Sequence, residues 1–361
     1  MAPETASRRV LLVGSLPYDD EASAMARALE LAGDKLVALP DGEIGERSAQ
    51  YPNGDRSQWV AGLAGRLASD SALFDIVKAG TMGDQGFPVD FKSTARLRPK
   101  HDSDELAERL ELRYDTYALR SWQHFEQLRP SAGRPDLRMQ IGLPTGLGIG
   151  AAVFSPRRAM RLAGAFAACL EREAAVIEGE LGAENLIFQI EAPAEVVMAH
   201  RLPKPLLGTA TKTALDLARR LPDGVPVGLH MCYGDLNNKA VIAPTKFGRL
   251  IDFANALIDR WPSTRQLSYV HLPFAAGTSP APTKAASYGA LRRLRLPSGT
   301  RLVAGFVHEQ PDMDDLAQLL RTIEDAWGGT VDVATACGLG RRTAEVADEL
   351  IARCSELAGQ Q

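Results

Sequence analysis

Leu302-Val-Ala-Gly-Phe-Val-His308 is a short aliphatic run, and a helical pattern follows it over residues 314–326. A second run, Val331-Asp-Val-Ala-Thr-Ala-Cys337, leads into another helical pattern over 341–357. Short β-branched runs of this kind read as buried strands. Strands joined through a helix are parallel neighbours. Working outward, six more runs fit the same template: 10–15, 36–42, 137–143, 186–191, 225–230 and 267–271. Helix-prone stretches lie over 22–32, 156–178, 211–220 and 246–260. Eight strand–helix units predict an α/β fold, a single (β/α)₈ TIM barrel. Residues 1–361 read as one domain, with insertions of about 51–134 after strand two and 274–299 after strand six. The first insertion carries a charged helix predicted over 103–128, and the second reads as a long loop. Arg341-Arg342 is expected to open the last helix as a solvated face, in preference to an anion site.

The 361 residues carry 41 Lys+Arg against 45 Asp+Glu, a net charge of −4. That balance offers no basic surface for a nucleic acid partner. No apolar run is long enough to cross a membrane. Residues 1–10 lack the apolar stretch of a signal peptide, so a cytoplasmic protein is expected. Four cysteines do not make a disulfide framework in a chain of this size. Cys169 and Cys354 sit on apolar helical stripes and read as core packing.

The ends of the predicted strands carry the chemistry. They read Gly14-Ser15-Leu16-Pro17, Asp41-Gly42-Glu43, Pro144-Thr145-Gly146, Gln189-Ile190-Glu191, His230-Met231-Cys232, His271, His308 and Cys337-Gly338-Leu339. In a barrel these ends converge on one mouth. Three of six histidines and two of four cysteines fall there, more than scattered core residues would supply. His230, Cys232 and Cys337 form a nitrogen–sulfur set suited to zinc, and two sulfurs disfavour magnesium or calcium.

In this order the motifs resemble one family. Gly14-Ser15-Leu16-Pro17, Gly42-Glu43, Thr145-Gly146, Gln189-Ile190-Glu191, His230-Met231-Cys232-Tyr233 and Cys337-Gly338-Leu339 are similar to the C-terminal catalytic barrel of cobalamin-independent methionine synthase. Uroporphyrinogen decarboxylase belongs to the same superfamily. The resemblance runs from about Val10 to Leu357 and implies a TIM barrel whose zinc activates a thiol. It implies His230, Cys232 and Cys337 as zinc ligands and His308 as a catalytic proton donor. It also implies Ser15, Glu43, Glu191 and Thr145 as substrate-binding residues, with a carboxylate gripping an ammonium. His271 stands where the family has a glutamate ligand, so it either completes the zinc shell or lines the pocket.

The chain departs from the family elsewhere too. Glu191-Ala192 replaces an Asp-Glu pair. No Trp follows Thr145-Gly146, leaving Phe154, Trp59 or Trp122 to take its place. Glu309 beside His308 is expected to favour the imidazolium. These departures point to a specialised substrate for a zinc-dependent alkyl or methyl transferase acting on a thiol and a small-molecule alkyl donor. The competing expectations are a zinc-dependent lyase of the same superfamily and a non-catalytic barrel with a closed four-ligand zinc.

Overall fold

The computed structural model describes residues 7–360 except Gln85, Phe91 and Pro244. Eight parallel strands form one sheet: β1 (Val10–Leu11), β2 (Leu39–Pro40), β3 (Met139–Pro144), β4 (Leu186–Glu191), β5 (Val227–His230), β6 (Leu267–Pro273), β7 (Arg301–Val307) and β8 (Asp332–Thr335). Their order is β1-β8-β7-β6-β5-β4-β3-β2. The seam is carried by Val10, whose N–H donates to the Lys35 carbonyl and whose carbonyl accepts from Val37 N–H, both at 2.9 Å. The eight predicted runs are the eight strands, and the TIM-barrel fold stands.

Strand alternation sends every second side chain to the barrel axis. Leu11, Ala38, Ile187, Tyr269, Val303 and Ala334 form a small buried cluster of their own inside the ring. A polar layer sits beside them. Tyr269 Oη donates to Gln189 Oε1 at 2.9 Å, and Gln189 Nε2 donates to the Val13 carbonyl and to Glu191 Oε1. Gln140 Nε2 donates to the carbonyls of Leu12 and Val13. Gly228 makes room for Tyr269, because a Cβ there would lie 2.0 Å from the tyrosine Cζ. The outer strand faces pack under helices such as Pro156–Leu181 and Ala344–Gly359, which bury Cys169 and Cys354. Among the described residues, no helix is long and apolar enough to cross a membrane.

Between β2 and β3 lie the helix Val60–Ser69, an antiparallel hairpin (Phe74–Lys78 with Arg96–Pro99), and the helices Ser103–Arg109 and Tyr114–Ser131. The single helix expected over 103–128 is therefore two. The break is held from a distance: the buried Glu173 carboxylate accepts from the backbone N–H groups of Leu112, Arg113 and Tyr114 at 2.6–2.9 Å. Arg113 there has φ +66°. The last helix begins at Ala344, capped by Thr343, so Arg341-Arg342 lie in the loop before it.

Candidate metal centre and cavity

Following the alternation along β4 gives Ile187, Gln189 and Glu191 in one column. Along β6 it gives Tyr269 and His271, and along β5 it gives Gly228 and His230. Each column climbs from apolar packing through polar groups to titratable groups near the strand tops.

His230 and His271 are buried neighbours on paired strands, their Nδ1 atoms 2.8 Å apart. His271 Nε2 lies 3.0 Å from the Thr335 carbonyl. A carbonyl only accepts, so His271 carries its proton on Nε2 and presents a lone pair at Nδ1. Burial, with His230 alongside, drives its pKa down to about 3, so the ring is neutral. His230 then donates from Nδ1, which leaves its Nε2 lone pair free.

Cys232 and Cys337 complete the cluster. The donor atoms of His230, Cys232 and Cys337 all lie within 4.8 Å of one another, and the sulfurs are 3.7 Å apart. Zinc–sulfur bonds of about 2.3 Å at a tetrahedral angle place two sulfurs about 3.8 Å apart. The residues present therefore fit zinc in donor type, tautomer and spacing. The hydrogen bond from Cys232, with His230 and Arg341 adding to it against burial, holds the Cys337 thiol well below its ordinary pKa. The same bond, together with burial, drives Cys232 well above.

Arg341 is a residue the sequence reading misplaced. Its side chain is 5% exposed, with Nη1 4.0 Å from Cys337 Sγ and 3.6 Å from Asp235 Oδ2. Asp235 opens a two-residue hairpin in which Asn237 and Asn238 both have positive φ. Asn238 Nδ2 donates to the Arg341 carbonyl and fixes the loop. The Arg-Arg pair followed a helical pattern in sequence, and nothing local announced a buried guanidinium.

Glu43 and Glu191 face each other over Gly142, where a Cβ would lie 2.8 Å and 2.7 Å from their respective Oε1 atoms. Burial, with Asp41 and Cys337 adding to it, pushes Glu43 up to about 7. Burial, Glu43 and Cys337 push Glu191 well above the carboxylate range. Glu43 has φ +53°, a costly conformation for a side-chain-bearing residue. Asp41 braces it, accepting the Glu43 N–H at 2.9 Å while Arg56 and the Ser121 hydroxyl hold the other carboxylate oxygen. Burial alone would raise Asp41, but Arg56 reverses the direction and keeps it ionised.

One cavity of about 400 Å³ is lined by Ser15, Glu43, Glu191, His230, Cys232 and Cys337 among others. Three predicted site residues are placed elsewhere. His271 pairs in register with His230 and has both ring nitrogens engaged, one by His230 and one by the Thr335 carbonyl, so it stands outside the group formed by His230, Cys232 and Cys337. Thr145 is fully buried and caps the helix Gly146–Val153, its hydroxyl accepting from Gly148 N–H at 3.0 Å. His308 lines a separate small pocket behind Cys337. Its Nε2 lies 3.3 Å from the Gly277 carbonyl, and its Nδ1 accepts from Gln310 N–H. Glu309 does favour the imidazolium, but burial outweighs it and the net shift is downward, contrary to expectation.

Of the aromatic candidates, Phe154 is core between Phe74 and Phe166, and Trp122 packs on Phe125. Trp59 lines the cavity. If the cluster holds zinc, His271→Ala is expected to weaken its binding about 10–100-fold by freeing the His230 ring, measured by chelator competition. Unchanged affinity would remove the orienting role.

No family model and no curated protein matches the chain. Among solved structures it is similar to a B12-independent methionine synthase from Shewanella sp. W3-18-1 in complex with selenomethionine. The two are 13% identical over 98% of this chain and 97% of that chain, with a TM-score of 0.52. A family GH18 chitinase from Chromobacterium violaceum matches at 10% identity over 96% of this chain and 83% of that one, with a TM-score of 0.34. At these identities the first likeness establishes a shared fold, and the second is too slight to use.

Proposed function

We propose that this chain is an enzyme that holds zinc on His230, Cys232 and Cys337 and transfers an alkyl group, most simply methyl, to or from a thiol. The observation carrying this reading is a three-donor N/S cluster opening into a cavity that also holds two facing buried carboxylates. Three protein donors leave a fourth position for substrate, the pattern of catalytic zinc sites. Zinc in that place supplies Lewis acidity, which brings a substrate thiol into its thiolate form near neutral pH.

The chain's own groups do the rest. Two carboxylates over Gly142 repel each other when both are ionised, and a cationic group between them relieves that cost. Glu43 and Glu191 therefore bind the ammonium of an amino-acid-like thiol, with Ser15 beside them. Arg341, paired with Asp235, joins Cys232 and His230 in favouring the Cys337 thiolate that a metal would take. His271 holds the His230 ring in the ligating tautomer. His308, outside the cavity, braces the loop at Gly277. A closed, non-catalytic zinc would need a fourth protein donor, and His271 is not placed to supply it.

The test is metal content followed by thiol binding. Protein purified without added metal, then loaded with cobalt, is expected to bind about one ion per chain. Titration with amino-acid thiols is expected to add a further thiolate-to-cobalt absorption band. No metal uptake, even with zinc supplied, overturns the reading. Metal uptake without a thiol-dependent band leaves the site but removes thiol activation.

A further inference from the structure

The floor of the cavity is charged, but its upper wall is not. Val60, Ala61 and Ala64 of the helix Val60–Ser69 face the same space as Val197, Leu236 and Val241. Trp59 adds an indole face, and its buried Nε1 has no hydrogen-bond partner within the protein. Val241 remains 38% exposed, a large apolar side chain left at the mouth. Arg201 is the one cation lining this upper region among the described residues, since Arg341 lies below beside Cys337 and Asp235. The apolar wall comes largely from the segment between β2 and β3, brought over the mouth where Asn237 Nδ2 donates to the carbonyls of Pro88 and Val89.

We propose that this wall is a subsite for an uncharged hydrocarbon group, so that the alkyl donor or acceptor carries an aliphatic or aromatic body rather than a polyanionic carrier. The inference rests on the proposed alkyl transfer for its chemistry, but the surface itself is independent of the metal. An apolar enclosure gains affinity with each methylene it removes from water. A carrier with several carboxylates finds one arginine there among alkyl and indole surface, which leaves most of its charges without partners.

The test uses two homologous series on the cobalt-loaded protein, 1-alkanethiols and 1-alkanols of one to six carbons. Thiol entry is read from the thiolate-to-cobalt band, and alkanol binding from indole fluorescence, with Trp59→Phe identifying the reporting residue. Both series are expected to tighten about three- to fourfold per added methylene. Val241→Glu, at an exposed position, is expected to flatten both slopes. If thiols give the band but neither series depends on length, the subsite is overturned and thiol activation stands. If alkanols show the slope and neither the alkanethiols nor an amino-acid thiol gives a band, thiol activation fails and the subsite stands. No slope and no band overturn both.

Discussion

Under the proposed function, Cys337→Ser is expected to empty the metal site, with zinc per chain falling from about one to less than about a tenth and alkyl transfer falling at least about 1,000-fold. A serine hydroxyl stays protonated at neutral pH and is a poor zinc donor, so only His230 and Cys232 would remain. The fold should survive, because the loop is pinned by contacts the substitution does not touch. Leu339 N–H donates to the Ser15 carbonyl at 2.7 Å, and the Thr335 hydroxyl donates to the Cys337 carbonyl at 2.8 Å. Elemental analysis beside circular dichroism checks both halves of the expectation. A folded, zinc-replete Cys337→Ser protein would move the metal centre elsewhere.

Gly228→Ala is expected to destabilise the inside of the barrel strongly. The added carbon would sit 2.0 Å from Tyr269 Cζ and 2.4 Å from its hydroxyl oxygen. Tyr269 is fully buried and tied to Gln189, so it has no easy way to give. Overpacking of this kind costs about 1–3 kcal/mol, and a broken buried hydrogen bond adds about 1 kcal/mol. A loss of about 2–4 kcal/mol follows, read as a lower denaturant midpoint at unchanged slope. Adding Tyr269→Leu should recover part of it, because the two changes share one clash. If Gly228→Ala alone is neutral, the tyrosine does not cross the barrel there.

Strand positions were legible because their signal is local: aliphatic runs, and chemistry-bearing residues where the runs stop. Cys232, Cys337 and His230 could be picked out for the same reason. What stayed hidden depends on distant partners. The helix break at Arg113 is set by Glu173, some sixty positions away. Arg341 is buried because a hairpin after β5 supplies Asp235 and Asn238. His271 stands where the resembled family has a metal ligand, but its Nδ1 faces His230 and its Nε2 faces the Thr335 carbonyl, contacts that only the closed sheet supplies. Thr145, a substrate-binding residue by the family resemblance, is instead fully buried as the cap of the Gly146–Val153 helix.

The two sulfurs of the candidate centre are 105 positions apart, and the later one follows β8. That strand also pairs with β1. During synthesis, a nascent chain that has reached β7 holds one sulfur and one imidazole, and an open sheet. The second sulfur arrives with the strand that shuts the ring. A metal held by the candidate centre therefore cannot template the early barrel; it can be captured only once the ring is closing, so the centre is assembled after the fold and not as its nucleus.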